Sequence, residues 1–481
     1  MVTQYNAIIL YPNMNKKTKI MATIGPASES EETLTQLIEH GVNIFRFNLK
    51  HNVFDWHKKI INRLKEIAQK MKVEVGILVD FQGPEIRIET SNEEDINIDE
   101  GESLFIGNKF IEGQKIIKIN PDLATKKIKV GDVVYLNNGE LKLKVVKKNN
   151  KLIELISDSK AIIKNRKSMN LISKDLNLPI LASRDMETIA RLDQINPDYI
   201  ALSFVRSKKD IDILKSLLSK INNKIKVIAK IENLTAIENI EEIIKVSDGV
   251  MIARGDLGIE VPIKELAFWQ KKIIDLCRKE TKPVIVATQM LGSMVENLQP
   301  TRAEATDVSN AVFDGTDVLM LSEETSIGKH PVKVVKEMSE IAAFSENAKE
   351  IRNISIQTET PTEVLVDAAV KIILNNKNLK IKAVVIFTES GNTARIFSRY
   401  RLNLPIIAMT DKQATVKGLI MSYGVESHFK KFNETNFRMP KSLVKNISNI
   451  VALNTGDTLV VIHGNNWMES ESTSDISLVT V

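Results

Sequence analysis

Two stretches, Lys226-Val227-Ile228-Ala229-Lys230-Ile231-Glu232-Asn233 and Gly249-Val250-Met251-Ile252-Ala253-Arg254-Gly255-Asp256-Leu257-Gly258, decide how this chain folds. Each opens as a short, almost wholly apolar run rich in β-branched residues and closes on charged ones. Such runs suit strands buried on both faces, as in a parallel sheet covered by helices. The residues between them are helix-patterned, so the pair reads as two parallel strands joined by a crossover helix.

Working outward, the same alternation starts at Thr18 and gives eight runs, 19–24, 43–47, 74–79, 198–202, 226–229, 249–253, 283–287 and 317–321. Eight buried parallel strands alternating with helices predict an α/β fold, a closed (β/α)8 TIM barrel. The helices carry ordinary boundary signals. Ser28 ahead of Glu31 and Glu32 is the expected cap of the first, and Gly41 its close.

Between the third and fourth runs lies an interval too long for one crossover helix. Residues 88–174 read there as short alternating strands punctuated by Gly101, Gly107, Gly113, Gly131 and Gly139, an inserted small all-β lid. A new α/β pattern begins after Ser345, with strands expected at 383–387, 405–409 and 458–462. The expected domains are therefore barrel 1–87 and 175–345, lid 88–174, and a C-terminal α/β domain 346–481. Three units agree with 481 residues at roughly 150 per domain.

Composition narrows the partners. The 66 basic and 61 acidic residues are mixed along the chain, so the net charge of +5 forms no stripe for nucleic acid. The small cluster Lys147-Lys148-Asn149-Asn150-Lys151 reads as a solvated hairpin turn. One cysteine, Cys277, allows no internal disulfide and no Cys-based zinc site; it lies in an apolar-periodic stretch and points to a reducing compartment. Residues 1–12 have no basic segment ahead of a long apolar run, and nowhere do 18 apolar residues follow one another. The expectation is a cytoplasmic protein with no membrane partner.

In such a barrel, reactive groups sit just past the C-terminal ends of the strands. The second strand leads into Arg46 and Asn48, the third into Asp80 and then Arg87, the fifth into Lys230 and Glu232, the sixth into Arg254 and Asp256, and the seventh into Thr288 and Gln289. Glu232 and Asp256, on adjacent strands, suit one hard cation, Mg²⁺ or Mn²⁺, with water and substrate oxygens completing the octahedron; the bland alternative is a pair of helix-capping carboxylates. Lys230, two residues before Glu232, falls on the same side of the strand. An ammonium beside a metal neutralises either a developing enolate or a transferring phosphoryl group. Arg46 and Arg87 can fork onto phosphate oxygens. The glycine-flanked turn at 254–258 offers backbone N–H groups to an anion, and Thr288 could relay a proton through water.

These stretches, with Thr23-Ile24-Gly25-Pro26-Ala27-Ser28, Arg46-Phe47-Asn48, Gly83-Pro84-Glu85-Ile86-Arg87, Ala287-Thr288-Gln289-Met290-Leu291 and Pro300-Thr301-Arg302-Ala303-Glu304, closely resemble pyruvate kinases. The resemblance implies phosphoryl transfer from phosphoenolpyruvate to ADP, giving pyruvate and ATP, in a homotetramer. It further implies that Lys230, Arg46 and Thr288 are catalytic and that Glu232 and Asp256 hold Mg²⁺ or Mn²⁺. Ala253, Arg254, Gly255, Asp256 and Thr288 would receive substrate, and Arg46, Asn48, His51, Arg87 and Lys167 would meet the nucleotide.

The sequence also departs from that family. Its activating K⁺ is usually held by Asn, Ser, Asp and Thr, where this chain has Asn48, Lys50, Asp80 and Phe81. A lysine in place of the serine puts a fixed ammonium where the monovalent ion would lie, so turnover without K⁺ is expected. The lid reads Asn137-Asn138-Gly139 for Asp-Asp-Gly, and Lys167-Ser168-Met169-Asn170-Leu171-Ile172 for Lys-Gly-x-Asn-(Leu/Phe)-Pro. In the C-terminal domain Thr388, Ser390, Gly391 and Thr393 resemble an effector-phosphate loop, but Glu389 lies among them and residues 467–472 are acidic and lack glycine. Activation by a sugar bisphosphate is therefore not expected. Two other readings stand beside the leading one: a metal-dependent enolate lyase or aldolase, and a catalytically weakened paralogue serving as a ligand sensor.

Overall fold

The computed structural model describes residues 16–149, 152–171, 178–221, 224–348, 351–376, 378–431, 444, 447–448, 450–464 and 473–481. Residues 1–12, Ile172 and the segment 467–472, on which some of the expectations above rest, lie outside them.

Eight parallel strands close into a barrel: Lys19–Thr23, Val42–Asn48, Gly76–Asp80, Tyr199–Leu202, Lys226–Ile231, Gly249–Ala253, Val284–Ala287 and Val318–Leu321. Closure comes from pairing of the first strand with the eighth, Lys19 opposite Val318 through Ala22 opposite Leu321. Each of these positions has a neighbour on both faces of the sheet, which is why the runs are continuously apolar. Side chains pointing inward, among them Met21, Ile44, Leu78, Tyr199, Ile228, Met251, Ile285 and Met320, fill the bore together with Ile420 and Met421 of the C-terminal domain. The outward ones pack under the helices.

Two sequence expectations shift here. The fifth strand runs through Ile231, so Lys230 belongs to the strand and is not part of its exit. The first helix, Glu31–Glu39, is capped by Ser30, whose side chain accepts the Thr33 N–H at 3.0 Å. Ser28 is buried and instead accepts the Gly25 N–H at 3.2 Å, closing the preceding turn.

The lid is a seven-stranded sheet beginning at Arg87–Thr90 and ending at Met169–Leu171, plus a two-stranded pair, Ile96–Ile98 with Ala161–Ile163. Its interior is an Ile/Leu/Val cluster of its own. Strands Leu141–Lys148 and Leu152–Ser157 pair antiparallel around the lysine-rich segment. The C-terminal sheet has five strands in the order Val425–Phe429, Ile406–Thr410, Ile381–Phe387, Thr458–Gly464, Thr473–Thr480, two more than the sequence pattern announced. Tyr199 donates to the Lys417 carbonyl at 2.6 Å, Lys19 to that of Val425 at 2.8 Å, and Arg401 pairs with Asp317 at 2.6 Å. These contacts seal the N-terminal floor of the barrel, leaving the opposite mouth to the lid. Among the described residues no helix is long and apolar enough to cross a membrane.

Candidate active site

At the mouth, the ends of neighbouring strands bring their polar groups to one point. The Lys230 ammonium lies 2.8 Å from Glu232 Oε1 and 3.3 Å from Asp80 Oδ1, and it donates to Ser203 Oγ at 2.8 Å. Burial alone would lower its pKa, but Asp80 and Glu232 more than offset this and raise it, so it stays protonated. Arg46 grips the other oxygen of Asp80 through Nε and Nη2, both at 2.7 Å, and donates to Thr23 Oγ1 at 2.9 Å. Burial would push the Asp80 carboxyl up; Lys230 and Arg46 hold it below the ordinary range.

Glu232 is fully buried, and its Oε2 accepts the Phe204 N–H at 2.7 Å. Phe204 has φ +56°, a left-handed conformation costly for an aromatic residue and held by that bond. Asp256 lines the same cleft. Burial and the neighbouring Glu232 charge push its carboxyl up to about 6. Two hard oxygen donors that repel each other beside a buried wall form a set that a divalent cation relieves. Among the described residues there is no cluster of three or more His, Cys, Asp or Glu suited to a metal, so this pair would leave most coordination positions to water and substrate, as Mg²⁺ prefers.

The stretch after the sixth strand is a short helix, Arg254–Glu260, where the sequence suggested a turn. Arg254 turns its side chain away from the cleft: it donates to the Thr288 carbonyl at 2.8 Å and the Gln289 carbonyl at 3.1 Å, and pairs with Asp307 at 2.8 Å. It thereby holds Thr288 and Gln289, both left-handed at φ +67° and +55°. The Gly255 N–H donates to Thr288 Oγ1 at 2.8 Å, tying the two strand exits together. Ala253, at the end of the sixth strand, is buried.

Lys50 pairs with Glu85 at 3.4 Å and lies 5.5 Å from the Phe204 ring centre. Glu85 also holds Arg87 at 2.9 Å, and Arg87 donates to the Arg166 carbonyl at 2.7 Å. Phe81 is wholly buried in the core beneath the helices, while its carbonyl accepts from Ser203 at 2.8 Å. Asn48 accepts the Lys50 N–H at 3.2 Å. His51 keeps part of its surface in solvent, and the burial of the rest, together with the charges of Arg87, Lys50 and Arg46, lowers its pKa. Lys167, half buried on the lid, lies beside Arg87 because its carbonyl accepts the Ile88 N–H at 3.0 Å.

The lid closes one wall. Ser168 and Asn170 of the lid, with Pro84 and Glu85 of the segment leading into it, line the same cleft as Glu232, Asn233 and Asp256. The lid turn Asn137–Gly139 rests on the helix after the sixth strand so closely that a Cβ on Gly139 would come within 2.9 Å of Ile259. In the C-terminal domain the Thr388 hydroxyl accepts the Gly391 N–H at 2.9 Å, Thr393 pairs with Thr473 at 3.0 Å, and Glu389 pairs with Lys412 at 2.5 Å. Ser390 lines a separate cleft facing the barrel.

Two participants escaped the sequence reading. Ser203 follows the fourth strand, the exit at which no charged residue drew attention. Glu85, inside a quoted motif, turns out to bridge Lys50 and Arg87.

Fold and site together define a (β/α)8 barrel with a buried, densely charged cleft at its C-terminal mouth, the place where such barrels carry their catalytic groups. The family model "Pyruvate kinase, barrel domain" matches residues 15–335, and "Pyruvate kinase, alpha/beta domain" matches 363–479. A pyruvate kinase of Bacillus licheniformis is 38% identical over 456 residues, covering 93% of this chain and 78% of that protein. One of Thermotoga maritima is 38% identical over 402 residues, 83% of this chain and 86% of that one. A crystal structure of a pyruvate kinase from Cryptosporidium parvum superposes with a TM-score of 0.88 at 32% identity, covering 99% of both chains. The chain belongs to the pyruvate kinase family and is an enzyme, a phosphotransferase of glycolysis.

Proposed function

We propose that the barrel mouth transfers the phosphoryl group of phosphoenolpyruvate to ADP, with Lys230 at the reacting centre and Glu232 and Asp256 holding Mg²⁺ or Mn²⁺. The observation that carries this reading is the buried Lys230 ammonium, fixed between Asp80, Glu232 and Ser203 next to the raised Asp256 carboxyl. Bound there, the divalent ion supplies neutralisation of phosphate and enolate oxygens. Lys230 adds a second positive charge already oriented before substrate arrives, and such preorganised charge favours the transition state over the ground state. Arg46, anchored by Asp80, presents its remaining donor capacity to the phosphoryl group. The helix start at 253–256 receives the substrate carboxylate through its backbone, and Thr288, held against Gly255, hands a proton by way of water to the enolate carbon. Asn48, His51, Arg87 and Lys167 line the approach of the nucleotide. Steady-state assays with phosphoenolpyruvate and ADP test the assignment: Lys230→Met lowers kcat by about 10³-fold while substrate still binds, and near-normal turnover in that variant would refute it.

The same geometry favours turnover without K⁺. Lys50 brings its own ammonium to the Glu85 carboxylate, and Phe81 offers no side-chain oxygen because its ring is in the core. A fixed cation thus takes the electrostatic part of a mobile one. A cytoplasmic setting fits the single, buried Cys277, whose thiol burial pushes up and keeps unreactive. A homotetramer is the assembly that family membership suggests, and sedimentation would test it.

A further inference from the structure

The lid is joined to the barrel by two chain crossings, and one carboxylate holds both. The first crossing, residues 81–86, runs from the third barrel strand, Gly76–Asp80, into the lid strand Arg87–Thr90; the second returns through 178–182 to the helix Ser183–Ile189. Asp185, in the first turn of that helix, is completely buried. Its Oδ1 accepts the Gln82 N–H at 2.8 Å, and its Oδ2 accepts the Gly83 N–H at 3.0 Å and the Ala182 N–H at 2.8 Å. No lysine or arginine pairs with it among the described residues. Burial and the nearby Asp80 charge push its carboxyl up against the pull of the three bonds. A buried charge without a cation is costly, and here three main-chain bonds offset it.

The same helix turn grips the loop opposite. Arg184 donates to the Lys50 carbonyl at 3.2 Å and to the carbonyls of His51 and Asn52. The Lys50–Glu85 ion pair therefore joins two loops that are each tied to one turn of helix, the first through Arg184 and the second through Asp185. The Glu85 N–H donates to the Gly83 carbonyl at 3.0 Å, so the placement of Gly83 is passed on to Glu85. Glu85 in turn holds Arg87 at 2.9 Å.

We propose that Asp185 is a positioning residue for the nucleotide side of the mouth: it clamps both lid crossings to one helix turn and thereby sets Glu85 between Lys50 and Arg87. This rests on the reading of the mouth as the place where ADP meets phosphoenolpyruvate. The bonds of Asp185 go to none of Lys230, Glu232 and Asp256, so its effect falls on nucleotide capture and not on the reacting centre.

Steady-state kinetics on the full chain test this. Asp185→Asn keeps the shape but turns an N–H group toward N–H groups; it should raise KM for ADP about tenfold, with kcat and KM for phosphoenolpyruvate changed by less than about twofold. Glu85→Gln should raise KM for ADP to a similar extent. Because one acts through the other, the double variant should show about the same tenfold rise, where independent effects would multiply to about a hundredfold. A residue that only supports the fold would instead lower kcat per chain, through a smaller folded fraction, and leave both KM values alone. Asp185→Ser keeps one acceptor oxygen and serves as the milder variant should the Asn variant be insoluble, with KM for ADP raised about threefold. The proposal fails if KM for ADP is unaltered in the Asp185 variants, if kcat falls as far as KM for ADP rises, if their effect multiplies with that of Glu85→Gln, or if neither variant folds. A wild-type chain that does not turn over phosphoenolpyruvate with ADP would overturn the reading of the mouth itself, and this proposal with it.

Discussion

The two ends of the barrel use the same residue types to opposite purpose. At the mouth four cations, Arg46, Lys230, Lys50 and Arg87, meet four carboxylates, Asp80, Glu232, Glu85 and Asp256, so the charges balance; of the acids Asp256 has no ion pair among the described residues, and its carboxyl is lifted to about 6. At the floor, Asp248 serves Lys215 and Lys226, Glu389 serves Lys412, and the remainder is cationic, Arg395 and Lys224. The mouth is balanced in charge with one unpaired acid, whereas the floor is left basic.

Substitutions that change those remainders should show the contrast, and the largest effect falls on the mouth. Lys230→Met removes a preorganised positive charge and should lower kcat by about 10³-fold, with phosphoenolpyruvate affinity changed far less in equilibrium binding. Asp256→Asn removes one of the two carboxylates proposed to hold the divalent ion. It should raise the Mn²⁺ concentration needed for half-maximal activity by about 10²-fold, measured by metal titration of the rate; an unchanged requirement would mean that the ion lies elsewhere. Ser203→Ala leaves every charge in place and deletes one hydrogen bond to the Lys230 ammonium, worth about 1.5 kcal/mol. A loss in kcat of about tenfold with little change in KM is expected, and full activity would make Ser203 a bystander. Gly139→Ala should act more weakly, since it pushes the lid tip off Ile259; KM for ADP should rise about threefold at similar kcat.

How far each end could be read in the sequence follows from the same physics. Barrel strands announce themselves because both faces are buried, so the runs around Val227 and Val250 have nothing polar to blur them. The error of two residues at the end of the fifth strand arises because Lys230 is polar yet lies inside, its ammonium held by acids from neighbouring strands. The C-terminal strand Val425-Glu426-Ser427-His428-Phe429 passed unnoticed because an edge strand need not be apolar. Glu232 and Asp256 stood out as charged residues closing apolar runs, whereas Ser203 is a small hydroxyl residue with no such contrast. The floor cleft was beyond reach, because Lys215, Lys224, Lys226, Arg395 and Lys412 come from distant parts of the chain and meet only in the folded protein.

The smallest expected effect tests the account most directly, because it asks whether the mouth supplies all the positive charge it needs apart from the divalent ion. Pyruvate formation from phosphoenolpyruvate and ADP should be measured with saturating Mg²⁺ in a tetramethylammonium buffer, with and without 100 mM K⁺, a concentration of about physiological ionic strength. The account predicts rates that agree within about twofold, the Lys50 ammonium beside Glu85 already standing in for the monovalent ion. A rate that rises tenfold or more on adding K⁺ would contradict it.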